Sequence, residues 1–218
     1  MGTEGELLKR LRRRDLSREA FEELLSDRSA RRYHAVRRAL AAHPRTPRRE
    51  ALSLVTTLFW RDLAHLSADA RVHPEVRRAA DRDLLRRLPE MALAERVDLA
   101  LAVGRGMLVA LRKDPEPRVL SALLENRFAT EPDVVQMAAN QGAPRQTLEA
   151  IAAHPRWGLR PGVRSALMRN PSLPAPVALG LLSRASRDDL MAVTGSPVAS
   201  PLVKTCAERV LAQRGSRV

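Results

Sequence analysis

Pro161-Gly162-Val163-Arg164-Ser165-Ala166-Leu167-Met168-Arg169-Asn170-Pro171-Ser172-Leu173-Pro174 decides how this chain folds, because its core recurs four more times. The matching pieces are Val36-Arg37-Arg38-Ala39-Leu40, Val76-Arg77-Arg78-Ala79-Ala80, Val119-Leu120-Ser121-Ala122-Leu123 and Val203-Lys204-Thr205-Cys206-Ala207. Pro74, Pro117, Pro161 and Pro201 each stand two residues before the valine. Successive valines lie 40, 43, 44 and 40 residues apart, a period of roughly 42. A fixed period of this length is the signature of a solenoid, in which each unit buries its apolar face against its neighbours.

Positions one, four and five of the phrase fall on one helical face, as Val163, Ala166 and Leu167 do. The proline two residues earlier suits a first helical turn, where its missing N–H is no loss. His43, Asn126 and Asn170 stand seven residues after their valines, and Pro-x-x-Pro follows directly on His43 and Asn170. Such a sequence stops one helix and starts the next, with Thr46 as the expected N-cap before Pro47.

Asp114-Pro115-Glu116-Pro117-Arg118-Val119 and Pro74-Glu75-Val76-Arg77-Arg78-Ala79-Ala80 resemble the entry to the second helix of HEAT-type repeats. Met168-Arg169-Asn170-Pro171-Ser172-Leu173-Pro174 and Ala42-His43-Pro44-Arg45-Thr46-Pro47 resemble the bacterial leucine-rich-repeat-variant pattern. The likeness covers roughly residues 20–213. With the period, it implies an all-α fold: a right-handed α-solenoid of about five HEAT-like repeats of roughly 42 residues, each with two or three short helices. Repeat-variant proteins can carry a cysteine-rich N-terminal segment for an iron–sulfur cluster. This sequence lacks one, so no cofactor is expected.

The apolar fraction of 44% supplies a continuous core, and with only six aromatics that core is built of Leu, Ala and Val. A single cysteine, Cys206, excludes an intramolecular disulfide and falls at the fourth position of the phrase, where a small buried hydrophobe is expected. No window approaches about 18 consecutive apolar residues, so no membrane span is expected. No apolar leader precedes Glu6, and a reducing cytoplasm is the expected setting. Against 25 acidic residues stand 38 basic ones, giving a net charge of +13. Residues 1–90 contribute +7 and residues 91–218 contribute +6, so the excess is not a property of one tail. That balance points to an anionic partner: an acidic protein, nucleic acid or a lipid surface. A genome favouring arginine codons would produce the same excess.

Along the chain, residues 1–18 are expected to form a basic cap or arm, with Arg10, Arg12, Arg13 and Arg14 around Leu7, Leu8 and Leu11. Residues 19–213 form a single HEAT-like domain, and 214–218 a disordered tail. Helices are expected over 19–26, 36–42, 47–58, 75–88, 94–103 and 107–113. Arg61-Asp62-Leu63 aligns with Asp188-Asp189-Leu190, and Asp62 and Asp189 each lie 14 residues before the next valine of the repeat. A third short helix per unit follows. Trp157-Gly158-Leu159 sits in an insertion that the other units lack.

The first candidate site is the basic residue directly after the repeat valine: Arg37, Arg77, Arg164 and Lys204, with Leu120 interrupting the series. Stacked units would align these, with Arg38, Arg78 and Arg118 beside them, into a ladder suited to anionic partners and to phosphates in particular. HEAT-like repeats also commonly use an arginine here to bond an acid of a neighbouring unit. Asp62, Asp114 and Asp189 are the available partners, and both uses stay open at this point.

The second candidate is Phe59-Trp60-Arg61-Asp62, where an aromatic beside an acid resembles the HEAT-like alkylpurine DNA glycosylases, enzymes with an aromatic cleft and a catalytic aspartate. No catalytic motif aligns residue by residue, and core packing of Phe59 and Trp60 is the expectation. His43, His73 and His154 precede prolines at helix junctions and are expected to cap turns, while His34 and His65 stand alone. No histidine pair or cysteine cluster has metal-ligand spacing. Nucleophile-elbow, phosphate-loop and dinucleotide motifs are missing, so no enzyme activity is expected. The expected function is a non-catalytic scaffold for a protein partner with an acidic surface. Sequence-independent binding to a nucleic-acid backbone comes second, and base excision a distant third.

Overall fold

The computed structural model describes residues 3–13 and 16–215. Every regular element among the described residues is helical, so the fold is all-α. The helices gather into two compact units, Met1–Met107 and Leu108–Val218. The first holds α1 (Glu4–Leu11), α2 (Arg18–Ser26), a 3-10 turn (Ala30–Arg32), α3 (His34–Ala42), α4 (Arg48–Val55), α5 (Trp60–Ala68), α6 (Pro74–Arg87), a second 3-10 turn (Leu88–Glu90) and α7 (Leu93–Ala102). The boundary falls within α8 (Arg105–Leu111). The second unit continues with α9 (Pro117–Leu124), α10 (Glu131–Ala139), α11 (Arg145–Ala153), α12 (Pro161–Arg169), α13 (Ala175–Leu182), α14 (Arg187–Thr194) and α15 (Pro201–Gly215).

The repeated phrase starts a helix each time. Pro74, Pro117, Pro161 and Pro201 are the first residues of α6, α9, α12 and α15, where a missing N–H goes unnoticed. His34 opens α3 in the same register. Two residues on, all five valines are at most 3% exposed. Leu40, Ala80, Leu123, Leu167 and Ala207 are buried beside them at the fifth position. The fourth position lies nearer the edge of the core, and Cys206 there is half-buried rather than enclosed. Packing is local in sequence within each unit. In the first, α3 packs on α1 and α4, and α6 on α4 and α5. In the second, α12 packs on α10, α13 and α14, and α15 on α13 and α14.

Several local expectations change. Thr46 does not cap α4: its hydroxyl donates to Leu40 O (2.6 Å), closing the end of α3, and Pro47 takes the N-cap position. α4 ends at Val55, short of the expected 58, because the Thr56 and Thr57 hydroxyls turn back onto Ser53 O and Leu54 O. The basic N-terminus is a capped helix, with Thr3 and Glu6 forming a capping box and Leu7 and Leu11 buried. α15 runs through Arg214, past the start of the expected tail; that guanidinium donates to Ala185 O (2.7 Å) and Ser183 O (3.0 Å). Arg14 and residues 216–218 lie outside the described residues. Trp157, in the apparent insertion, is 2% exposed and donates its indole N–H to Leu124 O at 2.8 Å, which anchors the segment in the core.

One device recurs where helices end. A side-chain acceptor takes the backbone N–H two residues ahead, satisfying a donor of the turn, or at His73 of the next helix's first turn, that has no backbone partner. His43, His73 and His154 do this through Nδ1 at 3.2, 3.3 and 3.1 Å. Asn126, Asn140 and Asn170 do it through Oδ1 at 2.8, 3.0 and 2.9 Å. Asp69, Asp114 and Ser196 fill the same role. Among the described residues no backbone has positive φ, glycines included.

Candidate functional site

A cleft of about 610 Å³ opens in the first unit where the start of α5 meets α3 and α7. Arg38, Phe59, Trp60, Arg61, Asp62, His65 and Glu95 line it. Its chemistry begins with an acid at the third position of a helix. At the third position of α10, α14 and α7, Asp133, Asp189 and Glu95 bond back to the N-cap residue of their own helix. Asp62 occupies that position in α5, after Phe59 at the N-cap. Asp62 turns to α3 instead.

Asp62 Oδ1 accepts from Arg38 Nη1 at 2.9 Å, and Oδ2 pairs closely with His34 Nε2. Arg37 Nη2 reaches His34 Nδ1 at 2.9 Å. A guanidinium can only donate, so Nδ1 is the acceptor and Nε2 carries the proton given to Asp62. The His34 ring lies 4.1 Å from the Phe59 ring, centre to centre. His34 therefore does not stand alone. It joins two arginines, a buried acid and an aromatic.

Phe59 is 65% exposed, against the expectation of core packing. It sits outside the helix on extended backbone (φ −74°, ψ 157°), while Leu58 and Leu63 on either side fill the core. Trp60 is half-buried; its indole donates to Glu95 Oε1 at 3.1 Å. The Arg61 guanidinium lies 5.0 Å from the Trp60 ring centre and 3.2 Å from Asp98.

The remaining candidates divide by role. Arg37 braces its own neighbourhood, donating to Arg31 O at 3.0 Å as well as to His34. Its Nε is buried without a partner, as are those of Arg77 and Arg164 at the same place in the repeat. Arg77 lies near Asp81, whose carboxyl burial pushes above the usual range, against a hydrogen bond from Ser67 and the charge of Arg77. Arg78 and Arg118 are exposed and Lys204 is half-buried. Of the seven cations only Arg38 lines the cleft. Arg118, Arg164 and Lys204 belong to the second unit.

The expected acid–arginine bond between successive segments exists for Asp62, but with Arg38 rather than the residue directly after the valine. Asp114 accepts from Glu116 N–H in its turn (2.9 Å), and Asp189 closes a capping box with Ser186. The pairing of His34 with Asp62 escaped sequence reasoning.

Among the described residues no three His, Cys, Asp or Glu side chains gather as a metal ion would require, and no helix is long and apolar enough to cross a membrane. No protein-family model matches the chain, and neither does any curated protein or solved structure.

Proposed function

We propose that this protein is a non-catalytic binding scaffold, a right-handed solenoid of about five HEAT-like units of roughly 42 residues, that holds a protein partner through the partner's acidic surface. The repeat is supported by one phrase opening a helix five times with its valine buried, and by packing that stays local in sequence. One observation carries the binding. Arg78, Arg118, Arg164 and Lys204 each lie within two residues of a repeat valine, and no acidic side chain of the described chain forms an ion pair with them. Cations left uncompensated by the chain itself project a positive field that gathers an anionic partner. A cytoplasmic setting belongs to this proposal.

A second reading, sequence-independent contact with a nucleic-acid backbone, is favoured by the exposed Phe59 ring lining a cleft with Arg38 and Arg61. Base excision would require Asp62 to leave both Arg38 and His34, so it gains no support from the cleft. Titrating the protein with poly-glutamate and with duplex DNA of equal charge separates the readings. Tighter binding of poly-glutamate supports the scaffold. Tighter binding of duplex, falling steeply as salt rises, favours the backbone reading, and binding of neither removes both.

A further inference from the structure

We infer that the second unit carries a groove for an extended acidic peptide segment, running from α8 across α10 and α12 to the turn after α14. The inference rests on the scaffold reading and names where an acidic partner docks. Two depressions, of about 460 and about 240 Å³, adjoin at Ala139, which lines both. Arg112 and Lys113 line the first and Arg169 the second; no carboxylate and no aromatic ring lines either.

The chemistry of the lining selects the occupant. Arg112 is engaged by Asp133 at 3.3 Å, but Lys113 and Arg169 form no ion pair among the described residues. Both are exposed and available to acidic side chains. Between them stand the carboxamides of Gln136, Asn140 and Gln141. No protein group bonds the Gln136 or Gln141 side chain, and Asn140 uses only its oxygen, toward Gly142 N–H. A carboxamide offers one acceptor and a donor pair, which matches the N–H and C=O of a peptide group. Val109 and Val198, 49% and 42% exposed, give apolar contacts in the two depressions. Single-stranded nucleic acid relies on aromatic stacking that this lining lacks, which favours peptide over polynucleotide. Three helix-to-helix steps of roughly 9 Å make a path of about 27 Å, enough for about eight residues of extended chain.

The test uses the full chain and a fluorescein-labelled peptide of about ten alternating Glu and Ala residues, followed by anisotropy. Lys113→Glu/Arg169→Glu should weaken binding at least about tenfold, whereas Arg145→Gln/Arg184→Gln, exposed in the same unit but outside both depressions, should weaken it less than about threefold. Gln136→Ala/Gln141→Ala leaves the charge unchanged and should weaken it about fivefold. Circular dichroism verifies that each variant is folded. Loss of binding in an Arg78→Gln/Arg118→Gln variant, with none in the Lys113/Arg169 variant, would leave the scaffold standing and overturn the groove. An unchanged affinity in the Gln136/Gln141 variant would also overturn it, since bulk charge alone would then hold the peptide. If single-stranded DNA of equal charge binds more tightly than the peptide and is lost in the Lys113/Arg169 variant, the occupant is wrong. No peptide binding to the wild type removes the scaffold reading as well.

Discussion

His43 serves a turn and titrates at the same time. Its ring stacks on Phe21 at 4.4 Å, and its Nδ1 accepts from Arg45 N–H. Burial first, and the Arg45 charge second, hold its pKa below the usual 6.5. The folded state thus resists a proton that the unfolded chain accepts. This contribution to stability is fully present above 6.5 and is lost as pH falls toward the lower folded value. His43→Asn keeps an acceptor, as Asn126 and Asn170 do at equivalent places, without titrating. The difference in urea midpoint between about pH 7.5 and about pH 5.5 should be smaller in that variant than in the wild type. Gly104 makes a different demand. A Cβ there would stand 2.4 Å from Ser67 O, whereas one on Gly180, within α13, would meet nothing within 4 Å. Gly104→Ala should lower stability by about 1–3 kcal/mol, and Gly180→Ala should raise it by about 0.5–1 kcal/mol, measured by thermal melting.

At the scale of the element, Asn170 ties the end of α12 to the end of α10. Its amide donates to Ala138 O at 2.7 Å and Asn140 O at 2.9 Å, while its oxygen takes Ser172 N–H. Asn170→Ala would strand these groups in a buried place, and urea denaturation should register a loss of about 2–4 kcal/mol. The starts of such helices were legible in the sequence, because a first-turn proline and a buried valine obey strong local rules. Other features depend on contacts that no local rule encodes. Trp157 looked like part of an insertion because its partner, Leu124 O, lies 33 residues back. Phe59 looked like core because its apolar neighbours are core; a helix boundary one residue away turned it outward. Arg37 donates to a carbonyl of a 3-10 turn, a contact that the pattern did not announce.

At the scale of the molecule, the charge is the dominant fact. A net of +13 is spread over both units, with 23 basic against 16 acidic residues in the first and 15 against 9 in the second. Like charges so distributed oppose compaction, and salt screens them with a Debye length of about 10 Å at about 0.1 M. Raising NaCl from about 0.02 to about 0.2 M should therefore raise the melting temperature; a fall would mean that the chain's own ion pairs outweigh its self-repulsion. The all-α class and the basic character were legible from composition and period. Which cations stay free of partners was not, since that depends on where each acid is drawn.

The bends between helices ask very little. Those built on this device need negative-φ backbone and one acceptor two residues back, and histidine, asparagine, aspartate and serine all comply. Lineages of such a chain can exchange these letters wherever the residue makes only that bond, while keeping the rhythm of its bends. Kinship among them is then better sought in cadence than in spelling.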